Sequence, residues 1–543
     1  MKDLNPNLLL TDTFMENEWD TSLYSGGVKG TYSPMQFVIR LREDIHQALK
    51  EDEISDERIQ AFSTYMHENI HWWQHVGSFF GFISSLSYPA IANVARRDLK
   101  TMIERGEKYK SIKSYDHILY HEYEKLDNQE VNRILNYWYD IHYAKVFSFN
   151  PKNIHKIIQD RRFFLSIGHC YHIFWSTSLH TLAASIDPEY KFLPDTRVWD
   201  MEFQKIKEAK VEGFYPGSPV GIAPIGVHAI YEGQARFNQL QYLAIAYNNQ
   251  LSYTDFEQMG MLSGIYIEAF DVFLEITGIQ RPNNFNNTII GLFLLICDIA
   301  INTTDGFPNN ILHYESFIYS IDPGIRFVML CQVISKDKAK WENAVKDYSA
   351  SEYYSLSEQL CESIVSIPPH YGSAVVNEWI EKQAVVQEIL EEERIMKFKP
   401  EHLSIGLFFS KFLRFQQDKL IYPNIFCWIG KSMTGECCKD IELDEVKRLF
   451  DKHRALYMDD VDKEIHPMLF EGFPQENVEE SFNAFYTHNT VYDMIIKWIM
   501  EEGEFTYDYH WLTPKYSDEE MKNWIRENFK EAFGIYPEEL KVI

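Results

Sequence analysis

Apolar residues recur at helical spacing along most of the chain. Ile59, Phe62, Met66, Ile70, Trp73 and Phe80 follow a period near that of an α-helix, and Ser55 or Asp56 stands where a cap is needed. Just upstream, Met35–Leu41 (MQFVIRL) reads as a strand, one of few in the chain. Helical patterns continue from about residue 85 to about 210, with polar connections near Asp127 and Asn150–Asn153.

The segment Gly213–Gly226 (GFYPGSPVGIAPIG) breaks this pattern. Its four glycines and three prolines cannot continue as helix. A new helix is expected near Val227, running through Glu232, Arg236 and Leu240, and further helices from about 250 to 400. The acidic run Glu391–Arg394 (EEER) reads as a solvated helix face. Pro400 marks a boundary, and Ser517-Asp-Glu-Glu520 has the form of a capping box. The expectation is a mainly α protein with a small β-sheet, whose edge strand at 35–41 could pair with an extended substrate.

At 543 residues the chain is too long for one compact core, so two or three packed units are expected. The division drawn is 1–54, an N-terminal segment with the edge strand; 55–245, a catalytic region; 246–400, helical; and 401–543, helical. A formal charge of −28 repels phosphate backbones and anionic membrane surfaces, which argues against nucleic acid and membrane as partners. Seven cysteines, widely spaced and with no C-x-x-C pair, argue against a disulfide framework and for a reducing cytoplasm. Cys437–Cys438 reads as a surface loop. The N-terminus lacks the features of a signal peptide, and the run Ile289–Ile301 is too short to span a bilayer and is interrupted by Asp298.

The candidate chemistry lies in Tyr65-Met-His67-Glu68-Asn-Ile-His71, an H-E-x-x-H within a predicted helix. Residues four apart lie about 40° apart around the axis and about 6 Å along it, so both imidazoles can address one metal ion. Glu68 is rotated by about 100° from His67, where its carboxylate can reach a water that a zinc ion polarises. A catalytic zinc keeps three protein ligands. Glu232, in the E-G-x-A of His228-Ala-Ile-Tyr-Glu232-Gly-Gln-Ala-Arg236, supplies the third candidate, with small Gly233 and Ala235 allowing another helix to approach.

These two motifs together resemble the gluzincin zinc peptidases, in which a glutamate from a later helix joins the H-E-x-x-H pair. The resemblance implies a zincin-like core with a large helical insertion and a helical C-terminal region. It implies zinc held by His67, His71 and Glu232, Glu68 as general base, and an intracellular hydrolase acting on a protein or peptide substrate. Glu232 follows His71 by 161 residues, a wider gap than gluzincins commonly show, which the insertion would fill. Arg236 stands where some gluzincins carry an aspartate that steadies a ligand histidine.

Of the neighbouring residues, His228 shares the face of Glu232 and could donate to an oxyanion. His75 lies about 12 Å along the axis from His67 and reads as structural or substrate-facing, and Tyr231 points elsewhere. His169 and His172 have no acidic residue near them in sequence and read as core histidines. Two other functions fit the motif. Glu68-x-x-His71 with Glu43-x-x-His46 could belong to a helical di-iron carboxylate oxidoreductase, although Glu43 reads as a surface residue. A helical interaction scaffold with a structural metal is the other, and it has no need of Glu68.

Overall fold

The computed structural model describes residues 4–10, 37–122, 128–400, 403–436, 441–468, 473–509, 512, 513 and 515–543. Asp127, the Cys437–Cys438 pair and the first two residues of the expected strand lie outside them. Helices dominate, and strands are few and short.

The eleven helices that build the core are α1 (Asp56–Gly77), α2 (Phe79–Glu104), α3 (Gln129–Phe149), α4 (Ile167–Ile186), α5 (Val227–Ala246), α6 (Ile265–Thr277), α7 (Thr288–Ile301), α8 (Pro323–Lys336), α9 (Leu403–Ile421), α10 (Gln475–Met500) and α11 (Asp518–Phe533). The strands are β1 (Val38–Ile39), β2 (Tyr109–Lys110), β3 (Tyr457–Asp459), β4 (Ile465–Pro467) and β5 (Lys541–Val542). β3 lies between β1, to which it is parallel, and β4, to which it is antiparallel; β2 and β5 form a separate parallel pair.

Ser55 caps α1 by accepting from the Arg58 N–H, and Asp56 and Glu57 in the first turn favour the positive end of the helix. The apolar series does not run unbroken to Phe80, however. Ser78 leaves helical geometry, and its hydroxyl accepts from the Gly81 N–H, so the chain turns and Phe80 belongs to α2. The capping box at Ser517–Glu520 opens α11 as expected.

The helices pack in a simple order. α1 lies against α2 and α5; α2, α3 and α4 form one layer beside them; and α5 is covered on its other side by α6 and α7. α9, from the C-terminal region, returns to pack on α1. One buried apolar cluster runs from Leu8 to Leu540 and draws on all four segments of the chain, so they share a core. Within it, Asp298 of α7 accepts from Lys419 and from the Tyr353 hydroxyl, which is how a charge is tolerated in the most apolar helix. No single helix among the described residues is long and apolar enough to cross a membrane.

Two sequence expectations fail here for packing reasons. β1 has one neighbouring strand, but Phe37 beside it is enclosed by Trp72, Phe408 and Phe485, and Phe37–Leu41 are all buried. This edge is therefore closed to a substrate strand. The EEER run is not a fully solvated face. Glu391 pairs with Arg394 in solvent, but Glu393 is buried and meets Lys411 and Arg414 of α9.

Candidate metal centre

The site begins with the fit of two helices. At Gly226, which ends the Gly/Pro-rich loop, a Cβ would lie 2.4 Å from the Phe149 carbonyl oxygen. Only glycine lets the loop pass that close to the end of α3. α5 starts at the next residue, and Glu232 falls in its second turn. At Gly233 a Cβ would lie 3.2 Å from Ala269 of α6 and 3.3 Å from the Phe293 ring of α7, so a small residue holds α5 close to both. The opposite side of α5 rests on α1.

This packing brings His67, His71 and Glu232 together. His67 Nε2 and His71 Nε2 are 3.0 Å apart, and Glu232 Oε2 is 3.4 Å from each. Among the described residues these three form the one group of three or more His, Cys, Asp or Glu side chains able to hold a metal ion. Tetrahedral zinc with bonds of about 2.0–2.2 Å spaces its ligand atoms by about 3.3–3.6 Å, close to this triangle. All three residues are buried; the side chains are 1%, 7% and 10% exposed for His67, His71 and Glu232.

The hydrogen bonding around His71 makes a stronger test of fit. Gln74 donates from Nε2 to the Tyr231 carbonyl and to Gln234 Oε1, both at 2.9 Å. Its Oε1 therefore faces His71 Nδ1, at 2.8 Å, and accepts the proton there. That leaves the unshared pair of His71 Nε2 pointed at His67 Nε2 and at Glu232 Oε2, a buried carboxylate oxygen 3.4 Å from each ring nitrogen. Electron-rich atoms converge on one point, which requires a positive charge between them, a proton or a metal ion. The donor set of two imidazoles and a carboxylate suits zinc.

The electrostatics agree. Burial draws His71 down, but the Glu232 charge and hydrogen bond outweigh it and hold His71 up at about 9. Burial takes His67 down to about 3 against the pull of Glu232. Burial alone would raise Glu232, yet the two histidines keep its carboxyl well below the usual range. One proton thus sits between the pair and the carboxylate when nothing else supplies the charge.

The other candidates fall as follows. Glu68 is buried, and its charge acts on His71. His228 Nε2 is 4.0 Å from Glu232 Oε1, and its side chain, 21% exposed, is the most open of the group. Burial lowers His228 to about 4, leaving it a neutral imidazole. His75 is fully buried and packs edge-on against Tyr231, a structural position. Arg236 does not steady a ligand histidine; it is buried, stacks on Tyr266 at 4.0 Å and donates to the Leu9 carbonyl.

One reading needs correction, and the surface reading of Glu43 holds. His169 and His172 do meet acids, Asp140 of α3 at 3.3 Å and Asp200 at 3.2 Å, and only His172 is buried. Glu43 is exposed and His46 turns to Asp459 of β3 at 2.8 Å, so this pair is not part of the group. Gln74 was not singled out by sequence. Its signal is weak: a polar residue one turn after His71, on the face that carries both histidines. Tyr266, whose ring meets His67 at 6.2 Å, lies on α6 and had no signal.

Comparison with known proteins adds little. No family model matches the chain, and no solved structure matches it. A stretch of 59 residues, 11% of the chain, is 37% identical to the mitogen-activated protein kinase MPS1 of Pyricularia oryzae and to the mitogen-activated protein kinase mpkA of Aspergillus fumigatus. The match spans 14% of each kinase, too little to carry an activity across.

Proposed function

We propose that this protein is a zinc-dependent peptidase, with His67, His71 and Glu232 as ligands. The observation that carries the reading is the buried convergence of three lone-pair-bearing atoms, with Glu68 next to His67 in sequence and buried beside the group. Three protein ligands leave one coordination position for reactants, whereas structural zinc sites are closed by a fourth. When bound, zinc supplies Lewis acidity to a scissile carbonyl and to water.

The chain supplies the rest. Glu68 takes a proton from the attacking water and delivers it to the leaving amine. His228, neutral at physiological pH, donates from its ring N–H to the carbonyl oxygen as negative charge develops there. Gln74 keeps the His71 ring in the tautomer that directs Nε2 inward. The substrate class proposed is a protein or peptide. Five described cysteines, Cys170, Cys297, Cys331, Cys361 and Cys427, are unpaired and buried, which supports a reducing, cytoplasmic setting.

Glu68→Gln is the deciding variant. Its amide is nearly isosteric but cannot take a proton, so zinc content should hold while peptide cleavage falls by about 10²–10⁴ or more. A biological effect that persists undiminished in Glu68→Gln would overturn the peptidase reading and favour a scaffold, and full peptide cleavage would remove Glu68 as the general base. Loss of metal would instead make Glu68 a ligand, as in a di-iron protein.

A further inference from the structure

Where α1, α5, α7 and α9 meet, they enclose a cavity of about 20 Å³. Every residue that lines it is buried, so the cavity is internal. A space of about 10–15 Å³ suffices for one water molecule. The wall carries Gln74, Ser78, Gln234, Asp298, Asn302 and Lys419 beside apolar residues. Polarity of this kind separates a hydrated cavity from a dry one.

Three of these side chains have hydrogen-bonding capacity that no described residue uses. Asn302 donates from Nδ2 to the Asp298 carbonyl at 2.7 Å and to Asp298 Oδ1 at 3.1 Å. Those bonds fix the amide, because the reverse orientation would set oxygen against oxygen. Its Oδ1 is thus an acceptor, buried and with no donor. Lys419 flanks the same carboxylate oxygen, donating to Asp298 Oδ1 at 2.8 Å. An ammonium has three protons to give, and no described residue accepts the other two. Gln234 turns its Oε1 to Gln74 Nε2 at 2.9 Å, and its own Nε2 donates to no described residue.

The Lys419 ammonium opposes a second cation in this space, and the Asp298 carboxylate opposes an anion. A neutral molecule that both accepts and donates, and is no larger than the cavity, meets all three groups. We propose that the cavity binds one water molecule, which accepts from Lys419 Nζ and Gln234 Nε2 and donates to Asn302 Oδ1. The water ties α5 and α9 to the end of α7 at one buried point. It also holds the Gln234 amide in the orientation that Gln74 requires. Under the proposed function that orientation serves His71, whereas the water itself needs only the cavity and its walls.

A crystal structure of the full chain, at a resolution that shows ordered water, provides the test. Wild type should show one water at about 2.7–3.2 Å from Lys419 Nζ and from Asn302 Oδ1. In solution, oxygen-17 relaxation dispersion counts long-lived internal waters, and Asn302→Leu, which removes the acceptor, should lower that count by one. The proposal fails if the wild-type cavity shows no density, or if Asn302 Oδ1 accepts directly from Lys419. It fails equally if the density gains an anomalous signal on exchange into a rubidium salt, which would mark a cation. Equal water counts in wild type and Asn302→Leu would also overturn it. Should the variant not fold, the wild-type density still decides, and neither measurement depends on zinc.

Discussion

Gln74 Oε1 lies 2.8 Å from His71 Nδ1, and this one contact settles which ring nitrogen of His71 faces Glu232. The amide cannot flip without placing its NH₂ against an N–H and losing its bonds to the Tyr231 carbonyl and Gln234. Gln74→Ala should therefore leave the ligands in place but let the His71 ring turn. Partners of this kind are worth about 10–100-fold in metal affinity. Zinc competition against a chromophoric chelator measures it, and an unchanged affinity would remove Gln74 from the site.

Purified protein should carry close to one zinc per chain, and His71→Ala or Glu232→Ala should abolish stoichiometric binding. The triangle of donors has no substitute nearby, since the three residues are the one such group among the described residues. Elemental analysis after gel filtration decides it; zinc retained by both variants would end the assignment.

Lys419 should matter for stability and not for metal. Its ammonium is 2.8 Å from Asp298, and both side chains are 5% exposed. Lys419→Met leaves a buried carboxylate without its cation, a change that costs about 3–5 kcal/mol. Adding Asp298→Asn should recover much of the loss. Thermal melts of the single and double variants provide the comparison, and additive losses would contradict the pairing.

Asp322 gives a pH signature. Burial raises its carboxyl to about 6, against hydrogen bonds from the Tyr171 hydroxyl and the Ile325 N–H. In the unfolded chain an aspartate titrates near about 4. Between these values the folded state holds a proton that the unfolded state has lost. Stability therefore declines as pH rises from about 4 to about 6, by about 3 kcal/mol at most. Asp322→Asn keeps the cap acceptor and removes the titration. The wild-type-minus-variant difference in melting temperature should slope downward across that window and be flat above it; parallel profiles would rule the effect out.

The parts of this architecture written locally were legible in the sequence. Ser55 and Ser517 announce helix starts because a cap acts within three residues, and the Gly/Pro-rich loop announces the start of α5 because its residues cannot continue as helix. The His67–His71 pair is a statement about one helix turn and needs no knowledge of the fold. What stayed hidden depends on distant partners. Glu393 looks solvated until Lys411 and Arg414 arrive from α9, and His172 looks apolar in its surroundings until Asp200 is folded against it. The break at Ser78 was masked by apolar residues on both sides, which keep the helical period while the backbone turns. The short β1 lost its expected role because Phe408 and Phe485, far along the chain, cover it.

The 160 residues between His71 and Glu232 also set an order of events during synthesis. At about 5–20 residues per second, a ribosome needs about ten to thirty seconds to make them. For that interval the nascent chain presents two histidines one turn apart and no carboxylate to complete the set. Gln74, too, waits for the Tyr231 carbonyl and Gln234 of α5 before it can orient His71. If the group holds zinc as proposed, selective loading is deferred until α5 has been made and docked on α1, and a chain truncated before Val227 would contain the whole H-E-x-x-H helix yet have no high-affinity site.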